Sequence, residues 1–344
     1  MFKYFMSTLL GLLMLSAANA QDQPPTRLRV MQLSFVSNGS ATVDIQIDGD
    51  TAFEGINFPF ATDYLEVTPG EHAVATIAEG GVAEASTTVV LEAGRDYTLV
   101  VEGDYLDAVT FTLVDESDVP LEPTGSAAIV VNLTRQPITD IRVDSQPVRE
   151  SIAAGQSGMF ALPVTPFTLA GIVNGNRFSE TYTPLANAVI LTVVRDQPSG
   201  EPQVIYHLSS PLTAAEYLRA VNDGAQWSQA ASLIQAADLL DALTDDGQYT
   251  LFLPINTALE PRSGSLPTDA AGLADLLNQH VSARNLPPYV LPNTGALEML
   301  SGNSASLNFG PTSSGYWEIE GAPILWDIRL ANGVIYAIAG IIVP

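Results

Sequence analysis

Short runs of alternating apolar and polar residues, separated by turn signals, fill residues 27–118 and restrict the fold more than any other feature. In residues 43–48, Val, Ile and Ile alternate with Asp, Gln and Asp, so one side of an extended strand is apolar and the other is polar. Turn sequences such as Asp48-Gly49 and Thr68-Pro69-Gly70 follow these runs. Short strands with turns about every ten residues predict an antiparallel β-sandwich over residues 27–118.

Residues 124–197 are predicted to be a second, degenerate copy of this unit. The sequence Asp-Ile-Arg-Val-Asp at 140–144 matches Asp-Ile-Gln-Ile-Asp at 44–48, an offset of 96. Val-Thr-Pro at 164–166 repeats residues 67–69 at an offset of 97. A near-constant offset over two matches favours duplication, with the proline-containing segments 119–124 and 198–202 as linkers.

The composition excludes several kinds of site. The chain has no cysteine, which rules out disulfides, thiol nucleophiles and thiolate metal sites and leaves stability to hydrophobic cores. The formal charge is −25, and residues 21–120 contribute 3 − 18 = −15 of it. Such an acidic surface repels nucleic acid and anionic lipid.

The N-terminus has the pattern of a signal peptide. Lys3 precedes an apolar run at 4–15, and Ala18-Asn19-Ala20 fits a cleavage site. A membrane anchor is the alternative for this run, which is short for a bilayer span. No later segment is long and apolar enough to cross a membrane. We therefore expect residues 1–20 to be removed near Ala20, leaving a secreted protein, extracellular or periplasmic, of charge −25 − 1 = −26.

Residues 208–344 change to an α+β pattern. Thr213 and Glu216 form a capping box, apolar residues recur at helical spacing over 227–240, and 249–254 is a short buried strand. A further helix is predicted to begin at Thr268-Asp269 and to continue through Val281. Near the end, Asn332-Gly333, two residues that tolerate positive φ, separates two apolar arms, which predicts a hairpin with a buried last strand.

Two family resemblances follow from these residues. The sequences at 43–49, 64–70 and 91–98 resemble domain of unknown function 4397, an immunoglobulin-like family of exported bacterial proteins. The sequences at 249–259, 332–338 and 342–344 are similar to the fasciclin domain, although its central Tyr-His pair is Gln279-His280 here. The resemblances imply a multidomain chain: two antiparallel immunoglobulin-like β-sandwich domains at 27–118 and 124–197, followed by an α+β fasciclin domain at 208–344.

No catalytic constellation is evident, and we expect neither catalytic residues nor a cofactor. The three histidines lie far apart in the sequence. His280 shares the apolar helical face of Leu276 and Leu277, which favours a core histidine with a structural role; a ligand or pH-sensing role is the alternative. Asn332 and Gly333 are likewise expected to be structural.

Metal binding has weak candidates. Asp44, Asp48 and Asp50 could contribute to a calcium site, but calcium requires six to eight converging oxygens and these side chains are expected on a solvent face or at a turn. We therefore predict no metal site.

For binding, the resemblance points to Asp327 and Ile328, because an Asp-Ile pair before the closing hairpin of fasciclin domains has been linked to adhesion. The alternative is that Ile328 is a core residue and Asp327 a turn or cap. The expected function is a non-enzymatic secreted or cell-surface adhesion protein that binds a surface or matrix protein or polysaccharide. The alternatives are an extracellular carrier of an apolar small ligand in the fasciclin domain and, third, an exported hydrolase.

Overall fold

The computed structural model describes residues 24–36, 39–40, 42–78, 84–120, 125–182, 187–197, 200–221, 226–243, 247–291, 294–308 and 317–342. The predicted signal peptide at 1–20 lies outside these ranges. The described residues form two compact units, one ending at Asp118 and the other beginning at Val119. Among the helices in these ranges, none is sufficiently long and apolar to cross a membrane.

The first unit consists of strands in its described part. They are β1 Thr26–Val36, β2 Gly39–Ser40, β3 Thr42–Ile47, β4 Asp50–Asn57, β5 Leu65–Val67, β6 Gly70–Ala78, β7 Glu84–Leu91, β8 Asp96–Asp104 and β9 Ala108–Asp115.

These strands form two sheets. One has the order β2-β1-β8-β9, with β5 also paired to β1, and the other has the order β4-β3-β6-β7. β1 and β8 run parallel, while the neighbouring pairs are antiparallel. β3 alternates as predicted, since Val43, Ile45 and Ile47 are buried and Asp44 is exposed. One side of this sheet therefore faces the core.

A buried ion pair, Arg29–Glu116, joins β1 to the residue that follows β9. Arg29 is 2% exposed, and its Nη2 donates to both carboxylate oxygens of Glu116 at 2.9 Å. Its Nε donates to Thr98 Oγ1 at 2.7 Å, and the hydroxyls of Thr98 and Tyr64 both donate to Glu116. The guanidinium also lies 4.7 Å from the Tyr64 ring centroid. A buried charge pair is tolerated when its members are hydrogen-bonded in this way.

The second unit begins with strands that follow the predicted repeat. They are β10 Ser126–Asn132, β11 Ile138–Val143, β12 Gln146–Ile152, β13 Ser157–Leu162, β14 Phe167–Val173, β15 Asn176–Tyr182, β16 Ala188–Asp196 and β17 Pro202–Ser209.

Their arrangement repeats that of the first unit. β10 and β16 are parallel, as are β1 and β8; β13 pairs with β10 as β5 pairs with β1; and β12-β11-β14-β15 corresponds to β4-β3-β6-β7. A turn contact is also repeated. Asp48 N–H donates to Ala73 O at 2.8 Å, and Ala73 N–H donates to Asp48 Oδ1 at 2.9 Å. Asp144 and Thr168 form the same pair of bonds at 2.9 and 2.8 Å.

The rest of the second unit mixes helices and strands. The elements are α1 Ala214–Ala220, α2 Ser228–Ala236, β18 Tyr249–Pro254, α3 Asn256–Leu259, α4 Ala270–Leu277, β19 Val281–Ser282, β20 Ala296–Glu298, β21 Ser304–Asn308, β22 Glu318–Ile319, β23 Ala322–Leu330 and β24 Gly333–Ile338, with 3₁₀ segments at Leu240–Ala242, Glu260–Ser265 and Asn278–His280.

The helix starts agree with the sequence, but one helix end does not. The capping box of α1 is present, with Thr213 and Glu216 bonded reciprocally. Asp269 caps α4 by accepting from Gly272 N–H at 2.8 Å. The prediction that this helix continues through Val281 was wrong, because a 3₁₀ turn follows Leu277 and Val281 begins a strand that pairs with β18.

One sheet extends across the second unit. β17 pairs along its length with β16, and at its end Ser209 pairs in parallel with Arg329 of β23. β24 then lies between β23, which is antiparallel to it, and β18, which is parallel. The predicted domains 124–197 and 208–344 therefore share a sheet, while their limits as domains stay predictions.

The Arg29–Glu116 pair generates a stability prediction. Glu116→Gln leaves the Arg29 charge buried without its counter-ion and should lower the free energy of unfolding by about 3 kcal/mol in urea titrations. Glu92→Gln is the matched control, because Glu92 binds Arg95 at 3.0 Å with a 72% exposed side chain. Exposed pairs contribute little, so its urea midpoint should equal that of the wild type. Equal destabilisation by both variants would contradict the prediction.

Candidate functional site

Asp327 and Ile328 lie in the middle of β23. Asp327 pairs with Tyr336 and Ile328 pairs with Ile335 of β24. Ile328 is 0% exposed and belongs to the core that packs the helices on the sheet. The interpretation of Asp327 as a turn or cap was wrong, because it is a strand residue. Ile328 has no surface available for contact in this structure.

The carboxyl group of Asp327 is enclosed. Although the residue as a whole is half-buried, its Oδ2 has no hydrogen-bond partner among the described residues. Burial raises the pKa of Asp327 to about 7. The nearby hydroxyl of Tyr336 donates instead to Leu286 O at 2.7 Å. A buried carboxylate without a compensating donor is costly, so Asp327 favours its protonated form near neutral pH.

His280 is 1% exposed and uses both ring nitrogens. Nδ1 lies 3.0 Å from Leu276 O, and Nε2 lies 2.9 Å from the backbone nitrogen of Ile342. Because Ile342 N–H is a donor, Nε2 must accept and Nδ1 must carry the proton, which defines a neutral imidazole. Burial lowers the pKa of His280 to about 4. The ring ties the segment after β24 to the end of α4.

Asn332 and Gly333 serve the fold differently from the prediction. Leu330 pairs with Gly333, so the turn residues are Ala331 and Asn332, and neither has positive φ. The predicted hairpin is present, but its turn lies one residue before Asn-Gly. Asn332 Oδ1 accepts from Ala214 N–H at 2.7 Å, at the first turn of α1. Gly333 is required by close packing, since a Cβ there would lie 2.0 Å from Tyr249 O.

Two of the three calcium candidates, Asp44 and Asp48, have other partners. Asp44 Oδ1 accepts from Gly55 N–H at 2.9 Å. Asp48 Oδ2 lies 2.7 Å from His72 Nδ1, and its Oδ1 accepts from Ala73 N–H. Within the described residues, no three or more His, Asp or Glu side chains are grouped so as to hold a metal ion. Asp44 thus binds β4, and Asp48 ties the β3–β4 turn to β6.

His72 is placed as a cation. Its Nδ1 faces Asp48, and its Nε2 faces Thr68 O at 2.6 Å, so both ring nitrogens face acceptors. Burial alone would lower the pKa of His72, but the hydrogen bonds to Asp48 and Thr68 raise it overall. The hydrogen bond from His72 also lowers the pKa of Asp48. The sequence contained no signal for this pair, because His72 and Asp48 are distant along the chain.

An aromatic cluster between the helices and the sheet was also not predicted. The rings of Trp227 and Trp326 lie 4.3 Å apart, and Tyr217 contacts Trp227 edge-on at 6.4 Å. Tyr217 OH and Trp227 Nε1 are both enclosed without a hydrogen-bond partner in the described part of the chain. Each is a donor, so an acceptor placed beside them would satisfy a buried polar group.

Comparison with protein families identifies the class. Residues 225–344 match the Fasciclin domain, and residues 19–156 match domain of unknown function 4397. The chain is thus a multidomain, strand-rich protein in which a fasciclin domain follows a domain of unknown function 4397, as the resemblances imply. The second match continues past Asp118 and ends after β12, inside the second copy of the repeat.

Individual relatives are distant. The transforming growth factor-beta-induced protein ig-h3 of Sus scrofa is 31% identical over 117 residues, which are 32% of this chain and 17% of that protein. The FAS1 domain pair of the insect cell adhesion molecule fasciclin I is 12% identical, with a TM-score of 0.33 over 52% of this chain and 64% of that one. The N-terminal domain of AlgF from P. aeruginosa is 22% identical, with a TM-score of 0.19 over 25% of this chain and 98% of that one.

Gly333 provides a test of the strand packing. Gly333→Ala places a methyl group against the Tyr249 carbonyl and should lower the free energy of unfolding by about 3 kcal/mol or more. Gly321→Ala is the control, because Gly321 has φ +75° in open space. It should cost only about 1 kcal/mol of backbone strain. Chemical denaturation of both variants measures the two free energies of unfolding. An unchanged value for Gly333→Ala would show that the close approach of β18 to Gly333 is not required.

Asp327→Asn should change the pH dependence of stability. The native pKa of about 7 exceeds the unfolded value, so the native state holds its proton longer and wild-type stability falls as pH rises from about 4 to 7. Asparagine removes this loss. The variant should be more stable than the wild type by as much as about 4 kcal/mol at pH 8 and no more stable at pH 4.

The control for this pH profile is Asp241→Asn, because the Asp241 side chain is 94% exposed. Urea unfolding at several pH values should give this variant the wild-type profile. A wild-type profile for Asp327→Asn as well would mean that the Asp327 carboxyl is solvated.

Proposed function

We propose that the protein is a non-enzymatic, exported adhesion protein that binds a cell-surface or matrix protein or polysaccharide. The observation that carries this proposal is the match of residues 225–344 to the Fasciclin domain, a family that includes cell adhesion proteins. An acidic, cysteine-free chain with tandem modules is consistent with a protein that binds its partners through its surface. Several weak contacts on one chain can add to useful avidity.

The two β modules are proposed to be immunoglobulin-like sandwiches. Support comes from the repeated strand order. Each module has one sheet with a central parallel pair, β1–β8 or β10–β16, and a second sheet in the order β4-β3-β6-β7 or β12-β11-β14-β15. The adhesive role requires exposed polar surfaces and no reaction centre.

The adhesive contact is proposed to involve surfaces other than the Asp327–Ile328 pair. Ile328 is fully buried and the Asp327 carboxyl is enclosed, so a direct contact would require β23 to leave the sheet. Separating β23 from both β24 and the core would expose a large apolar area. Ile328 thus supports the binding surface by holding β23 against the core.

Retention of the purified protein on cells, extracellular matrix and glycan arrays tests the adhesive role. The wild type should be retained, and multivalent display on beads should strengthen retention by about 100-fold or more. Asp327→Asn should bind as the wild type does, because its side chain is enclosed. Absence of retention on every surface would overturn the adhesive function; selective loss by a folded Asp327→Asn variant would instead restore Asp327 as a contact residue.

A carrier function is the second candidate, and one observation favours it. Tyr217 OH and Trp227 Nε1 are buried donors without acceptors inside the helix–sheet core. An apolar molecule with carbonyl or ether oxygens would offer acceptors to these two donors. Mass spectrometry of the protein isolated from its own host separates the two functions, since a carrier would contain a stoichiometric small molecule and an adhesion protein would not.

A further inference from the structure

The edge formed by β9 lacks the usual protection of an exposed strand. β9 is the last strand in the order β2-β1-β8-β9, and no other described strand pairs with its outer side. Residues 108–114 read Ala-Val-Thr-Phe-Thr-Leu-Val, without charge, proline or glycine. Its pairing with β8 continues through eight residues without a bulge. Charges, prolines and bulges are the features that keep edge strands from pairing with other chains.

Three other edge strands of the protein have these features. β4 contains Asp50 and Glu54, and its pairing with β3 shifts register twice. β12 contains Pro147 and Arg149 and also shifts register against its neighbour. β15 contains an arginine and a glutamate. β7, at the edge of the other first-unit sheet, resembles β9 instead, since residues 85–91 carry no charge, proline or glycine and its pairing with β6 has no bulge. The first unit therefore has two unprotected edges among its described strands, β9 and β7.

The corresponding strand in the second copy of the repeat takes a further strand. β17 follows β16 as β9 follows β8, and β17 is paired on its outer side with β23 through Ser209 and Arg329. Ser210 N–H extends this contact by donating to Arg329 O at 2.8 Å. The same edge position of the same topology is thus extended in one copy and open in the other.

The sequence of β9 is suited to pairing with itself. In an antiparallel pair centred on Phe111, Phe111 faces Phe111 of the second copy, Val109 faces Leu113 and Thr110 faces Thr112. Aromatic, β-branched and threonine cross-strand pairs of this kind are favourable. Phe111, Val109 and Leu113 are only half-buried, so each would lose exposed apolar surface on pairing.

The charges at the ends of β9 meet in this register. Asp107 would lie opposite Asp115 of the second copy, and two bare carboxylates there would repel. Asp115 is held by Arg95, whose Nη1 lies 2.6 Å from its carboxylate. Arg95 also binds Glu92 at 3.0 Å and Asp118 at 3.2 Å, so it offsets the Asp115 charge only in part. Added salt should therefore strengthen the dimer by screening the remaining repulsion.

We propose that β9 binds β9 of a second copy in antiparallel orientation, so that the two first-unit sheets become one continuous sheet across a two-fold axis. The occupant is a second copy because the uncharged segment is self-complementary about its centre. The proposal goes beyond the adhesive function, since dimerisation through β9 does not depend on which surface the protein binds.

The absence of cysteine allows a direct test of register. In the proposed pair, directly opposed Cα atoms are about 4.5–5.5 Å apart, within the range of a disulfide. Phe111→Cys should therefore form a disulfide-linked dimer on mild oxidation. Val109→Cys alone and Leu113→Cys alone should not, because identical residues would be about 13 Å apart. A mixture of the Val109→Cys and Leu113→Cys variants should form a disulfide-linked dimer. This second test keeps Phe111 and therefore does not depend on the folding of Phe111→Cys.

Sedimentation velocity of the full mature chain tests dimerisation itself. Thr110→Lys/Thr112→Lys places two charges on the β9 edge and should weaken dimerisation by at least about tenfold. Ser86→Lys/Thr88→Lys adds the same charge to β7, at the edge of the other sheet, and should leave dimerisation unchanged or strengthen it. Three results would each overturn the proposal. The wild type could remain monomeric over a 100-fold range of concentration, or the two double variants could have equal effects. Val109→Cys alone or Leu113→Cys alone could cross-link as readily as Phe111→Cys.

Discussion

The second unit depends on β24, a strand buried at every one of its six positions. Ile335 and Ala337 pack into the core beneath the helices, while Val334, Tyr336 and Ile338 pack into a second core on the other side of the sheet. Because strand side chains alternate, one strand can serve two cores only if both of its sides are covered. β18 and β23 supply the backbone partners on either edge.

The residues around β24 follow from this constraint. Gly333 has no side chain because β18 approaches within the space of a Cβ, and Asn332 turns the chain while binding the first turn of α1. Beyond the strand, His280 accepts a hydrogen bond from Ile342. These contacts come from three different parts of the sequence. The Asn-Gly and His residues that mark the fasciclin resemblance are therefore explained by strand packing, with no requirement for a ligand.

Patterns along the chain predicted the elements well where neighbours in sequence determine them. The alternation at 43–48, the repeated turn sequences and the capping box of α1 are local signals, and the structure contains each of them. Long-range contacts produced the errors. The turn register at Asn332-Gly333 depends on Tyr249, and the end of α4 depends on pairing of Val281 with β18. Both partners are far away in sequence, so no local pattern could reveal them.

The candidate site shows the same limit in chemical terms. Asp327 resembles a surface motif in sequence, since an acidic residue beside an isoleucine fits an exposed strand. Its environment is set by the opposite strand and by the layers packed on both faces, which enclose its carboxyl. By contrast, Arg29 and Glu116, equally buried charges, have hydrogen-bond partners from β1, β8 and the β4–β5 connection. A buried charge is thus tolerated where several strands supply it with hydrogen-bond partners, and it is costly where they do not.

The repeated strand order places an edge strand at the same position in both units. A sheet copied along a chain brings a second exposed edge with it, and an exposed edge must be covered, charged or bulged to remain unpaired. In the second copy, β17 is covered where it meets β23 of the fasciclin domain. In the first copy, β9 has no such neighbour among the described strands, and it has no bulge and no charge over residues 108–114. An edge left in that condition remains free to pair, and the symmetry of residues 108–114 about Phe111 favours an identical strand as its partner.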